Sequence, residues 1–331
     1  MNAALGPSVV VLAGGYGGAK LSHGVASASA AREVAGEAPL DLSVIVNTGD
    51  DLELHGLCVS PDLDTVMYTL AGLANDETGW GVRDETWSTG AMLERYGAET
   101  WFGLGDRDMA THIRRTQLRR DGLSLTEATA DLCRRLDVPA RLLPMTDDEV
   151  RTEIRSPDGW LEFQEYFVKR GQADEVLEIR RHGIEQARPT AQVLEAVAGA
   201  GLIIIAPSNP FVSVGTILAL PGMLEALLEA RAPIVAVSPV VGGAALRGPA
   251  DKMLRSLGGT ASAAGVVVHY RERYPGLVDT FVIDEADATE APALEASGAA
   301  IELLPTVMRT YDDRQALAQA ILEAHLPSQD R

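Results

Sequence analysis

Residues 8–20 read SVVVLAGGYGGAK and determine how the amino end of this chain folds. A short apolar run suited to a buried strand leads directly into four glycines and Lys20. A backbone without Cβ atoms can approach a phosphate closely, and a helix that follows such a turn directs its free N–H groups at the anion. The pattern therefore predicts a strand, a nucleotide-binding turn and a helix.

The glycine turn satisfies neither of the two standard nucleotide-binding motifs completely. Gly15 and Gly17 fit the first two positions of the dinucleotide fingerprint G-x-G-x-x-G, but Lys20 stands at its last position. No Gly-Lys-Ser/Thr follows, as a Walker A loop would require. The alternative is a glycine-rich strand-to-helix turn that binds nothing, so other motifs must decide between the two interpretations.

The bulk composition bounds the size of the protein and excludes some partners. The 331 residues suffice for two average domains or for one large α/β unit with an insertion. The net charge of −19 argues against nucleic acids and anionic membranes as partners, because both require clustered Lys and Arg. Cys58 and Cys133 form no disulfide framework, and the amino end lacks the features of a secretion signal. We therefore expect a cytoplasmic protein.

Strand and helix patterns alternate along much of the chain, and the strands are almost continuously apolar. This character is typical of strands covered on both faces, as in a parallel sheet. We predict an α/β fold with a doubly wound, mostly parallel sheet. The predicted strands are residues 8–13, 42–47, 202–206, 233–238, 279–284 and 300–304, and the helices between or after them include residues 215–230, 249–257 and 312–326.

The middle of the chain differs from this alternation. Residues 107–136 predict two Arg-rich helices, the second of which begins with a capping box formed by Ser124 and Glu127. Residues 150–168 alternate apolar and polar side chains around a Pro-Asp-Gly turn, which indicates a hairpin. We therefore predict a single unit over the whole chain, with an inserted helical and hairpin region at roughly residues 75–190.

Two acidic clusters accompany the glycine turn. Asp50 and Asp51 follow the second predicted strand, where paired carboxylates suit a hard cation such as Mg²⁺. Asp62 and Asp64 lie just before a predicted helix, and either could instead cap that helix. Two acidic turns together with a phosphate-binding loop are typical of metal-assisted transfer of a phosphorus group.

Three further loops carry polar residues suited to ligand binding. Arg107, in a Gly-Asp-Arg-Asp stretch, could clamp a phosphate or carboxylate, or could belong to an exposed helix start. His112 and the neighbouring arginines are expected on a solvated or interface face. Ser208 and Asn209 follow a predicted strand and could bind an anion or base, or form a plain proline-bounded loop. Residues 238–249 form a third loop at the same edge.

Taken in order, seven segments resemble the 2-phospho-L-lactate transferase family of deazaflavin coenzyme F-420 biosynthesis. The similarity runs from about residue 9 to about residue 285, which makes it far more specific than one glycine loop. The segments are LAGGYGGAKLSHG, VNTGDD, SPDLDTVMYTL, LGDRDMATHIRRTQ, LPMTDD, APSNPFVSVGTILALPG and SPVVGG with LRGPADK.

The resemblance implies a Rossmann-like transferase that uses Mg²⁺ and forms a homodimer. The implied donor is a guanosine diphosphate derivative that carries phospholactate or phosphoenolpyruvate, and the implied acceptor is the deazaflavin Fo. The terminal ribityl hydroxyl of Fo would attack the distal phosphorus, and GMP would leave.

Donor and metal roles follow for residues that match the family segments. Asp50 and Asp64 would hold Mg²⁺, which neutralises charge on the bridging oxygen. The resemblance places Ser208 and Asn209 at the donor. The donor diphosphate would be bound by Gly14, Gly15, Gly17 and Gly18 with Lys20.

The acceptor roles leave one alternative open. Asp51 would orient or deprotonate the attacking hydroxyl. In the family, the segments that carry Asp64 and Arg107 border the deazaflavin site, so both residues would contact Fo. Asp64 therefore has two alternative roles, at the metal or at the acceptor.

Two other functions compete with the transferase. A related family of bacterial morphogenesis and carbon-metabolism factors shares a glycine loop and an Asn-Thr-Asp-Asp-like turn, which suggests a nucleotide-sugar-binding regulatory protein without turnover. The Gly-Asp-Arg-Asp helix and the Ala-Pro-Ser-Asn-Pro loop favour the enzyme. An NAD-dependent oxidoreductase is disfavoured for two reasons. Lys20 interrupts the dinucleotide fingerprint, and the second predicted strand does not end in the isolated acidic residue that would bind a ribose hydroxyl.

Overall fold

The computed structural model describes residues 6–326 of the protein. Its strands are β1 (Ser8–Ala13), β2 (Asp41–Val46), β3 (Leu52–Leu54), β4 (Leu57–Val59), β5 (Arg141–Pro144), β6 (Arg151–Ser156), β7 (Gly159–Glu162), β8 (Glu178–His182), β9 (Leu202–Ile205), β10 (Ile234–Val237), β11 (Val240–Val241), β12 (Ala244–Ala245), β13 (Thr280–Asp284) and β14 (Ile301–Leu304). Its helices are α1 (Gly15–Val34), α2 (Pro61–Leu70), α3 (Ser88–Arg95), α4 (Asp106–Arg120), α5 (Leu125–Arg135), α6 (Ala191–Ala198), α7 (Val214–Leu218), α8 (Met223–Glu229), α9 (Ala250–Ser256), α10 (Ala263–Arg273), α11 (Ala291–Ala296) and α12 (Tyr311–His325).

A seven-stranded sheet forms the centre of the molecule, in the order β14-β13-β10-β9-β1-β2-β5. Every neighbouring pair in this sheet is parallel. The chain runs from β1 outward to β5 and then returns to β9 on the other side of β1, so the direction of winding reverses between β1 and β9. Loops that leave the carboxyl ends of these two strands diverge and open a crevice. The predicted doubly wound α/β fold is confirmed.

Apolar cores on both faces of the sheet explain the continuous apolar character of its strands. Val10 and Leu12 of β1 pack on the face covered by α6, α7, α8 and α10. Val9 and Val11 of the same strand pack on the opposite face, against α1, α2 and α12. Because alternate residues point to opposite faces, a strand buried on both sides loses its alternating pattern.

The six predicted strands of the central sheet are confirmed to within one residue at each end. The seventh, β5, was not among them. It is a four-residue edge strand that ends in Pro144, and so short a run carries no periodicity signal. It lies inside the range of residues 75–190 but pairs with β2 of the central sheet. The extent of an inserted region therefore stays a prediction.

The predicted helices and hairpin in the middle of the chain are present. The Arg-rich helices are α4 and α5, and Ser124 and Glu127 form the expected capping box. Strands β6 and β7 form the hairpin, and β8 extends it to three antiparallel strands. The single helix predicted over residues 215–230 is wrong, since α7 and α8 are separated at Pro221 and Gly222, where Gly222 has φ 90°. No helix within residues 6–326 is both long and apolar enough to cross a membrane.

Helix α1 packs closely against α12 through a glycine. A Cβ atom at Gly24 would overlap the backbone carbonyl of Arg314 on α12. Backbone atoms cannot move aside as the end of a flexible side chain can, so this position requires glycine. The close approach fixes the direction of α1, whose first turn lies at the crevice.

We predict that Gly24→Ala destabilises the protein by about 1–3 kcal/mol, as overpacked cores usually do. The matched control is Gly90→Ala in α3, where a Cβ atom meets nothing within 4 Å. The control should change the free energy of unfolding by less than about 1 kcal/mol, since it only replaces glycine by a residue with a better helix propensity. Urea denaturation of both variants measures the difference, and equal stabilities would contradict the packing interpretation.

Candidate active site

A cavity of about 510 Å³ lies at the carboxyl ends of β1, β2 and β9. Its wall includes residues 14–17 after β1, Asp50 after β2 and residues 207–209 after β9, together with the first turn of α2. Both its position beside the reversal of strand order and its volume are typical of ligand sites in α/β proteins. The predicted glycine turn, Asp50, Asp64, Ser208 and Asn209 are thus brought together around one space.

Asp62 joins three turns at the base of this cavity. Its Oδ1 accepts a hydrogen bond from the N–H of Gly15 at 2.8 Å, and its Oδ2 accepts one from Asn47 Nδ2 at 2.9 Å. Asn47 Oδ1 in turn accepts from the N–H of Gly49 at 2.9 Å. Asp62 therefore does not cap its own helix but links the starts of α1 and α2 to the end of β2. It was not among the predicted site residues.

The glycines of the turn permit a left-handed residue and a close approach to the loop after β9. Gly15 has φ +61°, and a Cβ atom at Gly17 would overlap the carbonyl oxygen of Pro207. The N–H of Gly14 donates to Ser208 Oγ at 3.0 Å, and that hydroxyl donates back to the carbonyl of Gly14 at 2.8 Å. Gly18 packs beneath the turn, where its Cβ atom would lie 2.6 Å from Ser208 Oγ.

Two N–H groups of the first turn of α1 remain available for a ligand. Those of Gly14 and Gly15 are used by Ser208 and Asp62. Within residues 6–326, those of Tyr16 and Gly17 have no acceptor, and both residues lie on the cavity wall. N–H groups at the start of a long helix attract anions.

Lys20 lies away from the cavity. Its Nζ donates to the carbonyl of Met308 at 2.6 Å and lies 4.3 Å from the centre of the Tyr16 ring. Burial lowers the pKa of Lys20, and the nearby guanidinium of Arg314 adds to that effect. In this structure the lysine ties α1 to the segment before α12.

Three buried carboxyls lie close to one another at the end of β2 and the start of α2. Burial raises the pKa of Asp50 well above its usual range, and the neighbouring Asp62 raises it further. Burial also raises the pKa of Asp51 to about 7 and that of Asp62 to about 6. Asp50 lines the cavity, and its Oδ1 has no hydrogen-bond partner among the described residues. Asp51 lies behind the wall, where Ser60 Oγ donates to its Oδ2 at 2.7 Å.

Asp64 is paired with an arginine that is almost completely buried. Two guanidinium nitrogens of Arg115 donate to the two oxygens of Asp64, and Arg115 is 1% exposed. His112 Nδ1 lies 3.5 Å from Asp64, and its Nε2 lies 3.3 Å from Asp108. Asp64, Asp108 and His112 are close enough to share a metal ion, but the fixed charge of Arg115 opposes a cation there. The expected solvated face for His112 and its neighbouring arginines is wrong for His112 and Arg115.

Arg107 does not line the cavity. Its guanidinium donates to the carbonyl of Arg83 at 3.0 Å, and its N–H donates to Glu85 Oε1 at 2.8 Å. Glu85 also accepts from the N–H of Asp108, so a carboxylate of the protein occupies the start of α4. The predicted contact of the Arg107 guanidinium with a ligand would require its hydrogen bond to the carbonyl of Arg83 to break.

Ser208 and Asn209 both line the cavity. Asn209 Oδ1 accepts from the N–H of Phe211 at 2.9 Å, which fixes the turn after β9. Six aromatic side chains also line the cavity: Tyr16, Tyr68, Trp80, Phe102, Phe163 and Phe167. Most of them come from segments far apart in the chain, so no local sequence pattern predicts their common position. Flat apolar walls of this kind suit a planar ring system.

The family model described as 2-phospho-L-lactate transferase CofD matches residues 9–308 of this chain. The protein belongs to the 2-phospho-L-lactate transferase family. Family membership identifies it as a transferase of the phospholactate or phosphoenolpyruvate kind.

Similar curated proteins cover nearly the whole chain. A phosphoenolpyruvate transferase from Streptomyces griseus is 47% identical over 320 residues, which are 95% of this chain and 97% of that protein. One from Kitasatospora aureofaciens is 44% identical over 319 residues, with 95% and 96% covered. One from Thermobifida fusca is 43% identical over 331 residues, with 98% and 99% covered.

A solved structure shares the fold of this 2-phospho-L-lactate transferase family member. It is a protein of the UPF0052 family from Bacillus halodurans, with a TM-score of 0.64 and 16% sequence identity. The match covers 96% of this chain and 98% of the other. At this identity the likeness concerns the fold alone.

The buried carboxyls of this transferase family member predict a pH-dependent effect of Asp51→Asn. Because the pKa of Asp51 is raised from 3.8 to about 7, the folded protein holds a proton that the unfolded chain has lost between those values. The ionisation of Asp51 therefore costs increasing stability as the pH rises through this window. Removing the carboxyl should stabilise the protein by about 1–3 kcal/mol more at about pH 7.5 than at about pH 5.

Urea denaturation at both pH values, without divalent cations, measures this difference. Comparison with the unchanged protein cancels the titration of groups that do not interact with Asp51. Asp137→Asn is the control, because Asp137 is exposed and Asn tolerates its φ of 52°. A stability gain for Asp51→Asn that does not vary with pH would contradict the assignment of a raised pKa.

Proposed function

We propose that this protein transfers a phosphoenolpyruvyl group from a guanosine diphosphate-linked donor to the terminal ribityl hydroxyl of the deazaflavin Fo, releasing GMP, in coenzyme F-420 biosynthesis. The related proteins that cover the chain are named phosphoenolpyruvate transferases, which favours this group over phospholactyl. The observation that carries the proposal is one cavity in which free helix N–H groups, buried carboxyls and an aromatic wall meet.

The donor diphosphate is assigned to the start of α1. The free N–H groups of Tyr16 and Gly17 would bind its oxygens, and Ser208 and Asn209 form the adjacent wall. The glycines there have a second role, since they allow the turn to pack against Pro207. Lys20 would act indirectly, by holding α1 in place.

A divalent cation fits the chemistry of this cavity. Four carboxyls line it, those of Asp50, Asp62, Asp64 and Asp108, so a diphosphate would be repelled unless their charge were offset. Asp50 offers a buried oxygen without a partner, and it lies beside Asp62. Carboxylate oxygens are the ligands that Mg²⁺ prefers. We assign the ion to Asp50 with Asp62, where it would neutralise charge on the bridging oxygen of the donor.

Asp64 is assigned to the acceptor side. Because both of its oxygens already accept hydrogen bonds from Arg115, whose charge opposes a cation, Asp64 is given a hydrogen-bonding role without a metal ion. The aromatic wall would stack against the deazaflavin ring, and Asp64, Asp108 and His112 would face the ribityl chain. Asp51 would act on this corner through Ser60 and not by direct contact.

The reaction consists of one displacement at phosphorus. The ribityl oxygen forms a bond to the distal phosphorus, the bond from that phosphorus to the bridging oxygen breaks, and GMP leaves with the bridging oxygen. The hydroxyl proton passes to a carboxylate of the acceptor side. The protein contributes mainly position and charge stabilisation, as is usual for transfer at phosphorus.

We predict that the purified protein with Mg²⁺, Fo and the phosphoenolpyruvyl donor releases GMP and forms a phosphoenolpyruvyl adduct of Fo. Mass spectrometry separates this adduct from a phospholactyl adduct, which carries one more pair of hydrogen atoms. Removal of divalent cations by a chelator should abolish the reaction, and Mg²⁺ should restore it. The alternative is a regulatory protein without turnover. It would be favoured if no GMP were released with either the phosphoenolpyruvyl or the phospholactyl donor and the protein bound a nucleotide sugar tightly.

We predict that Asp50→Asn lowers kcat by about 100-fold or more, because it removes an ionised oxygen where charge develops. The fold should persist, since Asn fills the same volume and removes a buried charge. Asp137→Asn, an exposed change of the same chemistry, is the control and should leave kcat unchanged. Near-normal turnover by a folded Asp50→Asn variant would remove this residue from the metal site.

A further inference from the structure

A short arm of the protein forms part of the wall of the cavity. It consists of the β11–β12 hairpin and the loop that follows, and Arg247, Gly248 and Pro249 at its end line the cavity. The turn between β11 and β12 is held in place, because the N–H of Gly242 donates to both oxygens of Asp287 at 3.0 and 3.2 Å. The end of the arm is exposed through Arg247.

The charge of Arg247 is not neutralised by its hydrogen-bond partners. Its guanidinium donates to the carbonyl of Thr78 and, at 3.1 Å, to the carbonyl of Glu77. It also lies 4.7 Å from the centre of the Tyr16 ring. Neutral carbonyls bind a guanidinium more weakly than anionic oxygens do. Among the described residues of the cavity wall, Arg247 is the only lysine or arginine, and it faces four carboxyls across that space.

We propose that Arg247 binds the phosphates of the donor and gives up its contacts with Glu77 and Thr78 to do so. Tyr16, on which the guanidinium packs, carries one of the two free N–H groups of α1. The guanidinium therefore packs on the side chain of a residue in the turn to which the donor diphosphate is assigned. A guanidinium forms paired, charge-assisted hydrogen bonds with phosphate oxygens. This proposal rests on the proposed function, because it takes the ligand to be a nucleoside diphosphate.

Release of these contacts frees a short segment that carries an aromatic residue of the wall. Gly79 and Gly81, with φ +76° and +71°, flank Trp80. A Cβ atom at Gly79 would overlap the guanidinium, which shows how closely Arg247 covers this segment. Trp80 is 46% exposed and packs against Trp87 with ring centres 6.1 Å apart. Binding of the donor thus changes the surroundings of Trp80.

Calorimetric titration of GDP and of guanosine into the Mg²⁺-loaded protein tests the proposal. Arg247→Gln should weaken GDP binding by roughly 10- to 100-fold, and Arg247→Lys should weaken it less because the charge remains. Guanosine has no phosphate, so its affinity should not change. Arg255→Gln is the control, since it removes an exposed arginine of α9 whose partner is Asp251. It should bind GDP as the unchanged protein does.

Three results would overturn the proposal in distinguishable ways. Equal GDP affinity of Arg247→Gln and the unchanged protein would remove Arg247 from the donor site and leave the proposed function intact. Equal weakening of GDP and guanosine would show a structural role only. No GDP binding by the unchanged protein would overturn the proposed function as well.

Tryptophan fluorescence tests the release of the segment. GDP should change the emission of the unchanged protein, and most of that change should be lost in Trp80→Phe. An emission change that persists in Trp80→Phe would contradict the release of this segment.

Discussion

The carboxylate of Asp62 is the contact on which the rest of the site depends. It accepts one hydrogen bond from the turn after β1 and one from Asn47 at the end of β2. Because Asp62 belongs to the first turn of α2, the two strand ends and two helix starts are held at fixed separations. Removal of such a buried acceptor would leave the donor groups of Gly15 and Asn47 without partners, which is costly in a water-poor site.

This arrangement places carboxyl groups where the proposed function requires an anionic diphosphate to bind. Burial raises the pKa of the carboxyls at the end of β2, which means that their ionised forms are unfavourable in the protein alone. A cation between them and a diphosphate reverses that balance, because it is attracted to both. In the proposed function, metal and nucleotide therefore bind together at this site. At Asp64 the guanidinium of Arg115 already supplies a positive charge, so we assign no metal ion to that carboxylate.

The sequence was sufficient for the fold and for part of the site. Continuous apolar runs revealed six of the seven sheet strands, because burial on both faces leaves a local signal. The glycine turn and Asp50 were found because turn chemistry and strand ends are local as well. Their common position around one cavity followed from parallel strands, whose carboxyl ends meet at one edge.

Several residues have surroundings that sequence reasoning did not predict, because these surroundings depend on contacts between distant segments. Arg115 looked like part of a solvated Arg-rich helix, and only its packing beneath Asp64 shows that it is buried. Lys20 is next to the glycine turn in sequence, but one helical turn directs it to Met308 and away from the cavity. Arg247 belongs to a loop that the sequence correctly placed at this edge of the sheet, but only its contacts with Glu77 and Thr78 show where its guanidinium lies. Such roles require the fold to be known first.

The most direct test of the account is an anomalous diffraction map of crystals soaked with Mn²⁺ and GDP. The account predicts a metal peak at Asp50 and Asp62, with the nucleotide phosphates between that peak and the first turn of α1. A metal peak at Asp64, Asp108 and His112, or phosphates bound away from the N–H groups of Tyr16 and Gly17, would contradict it.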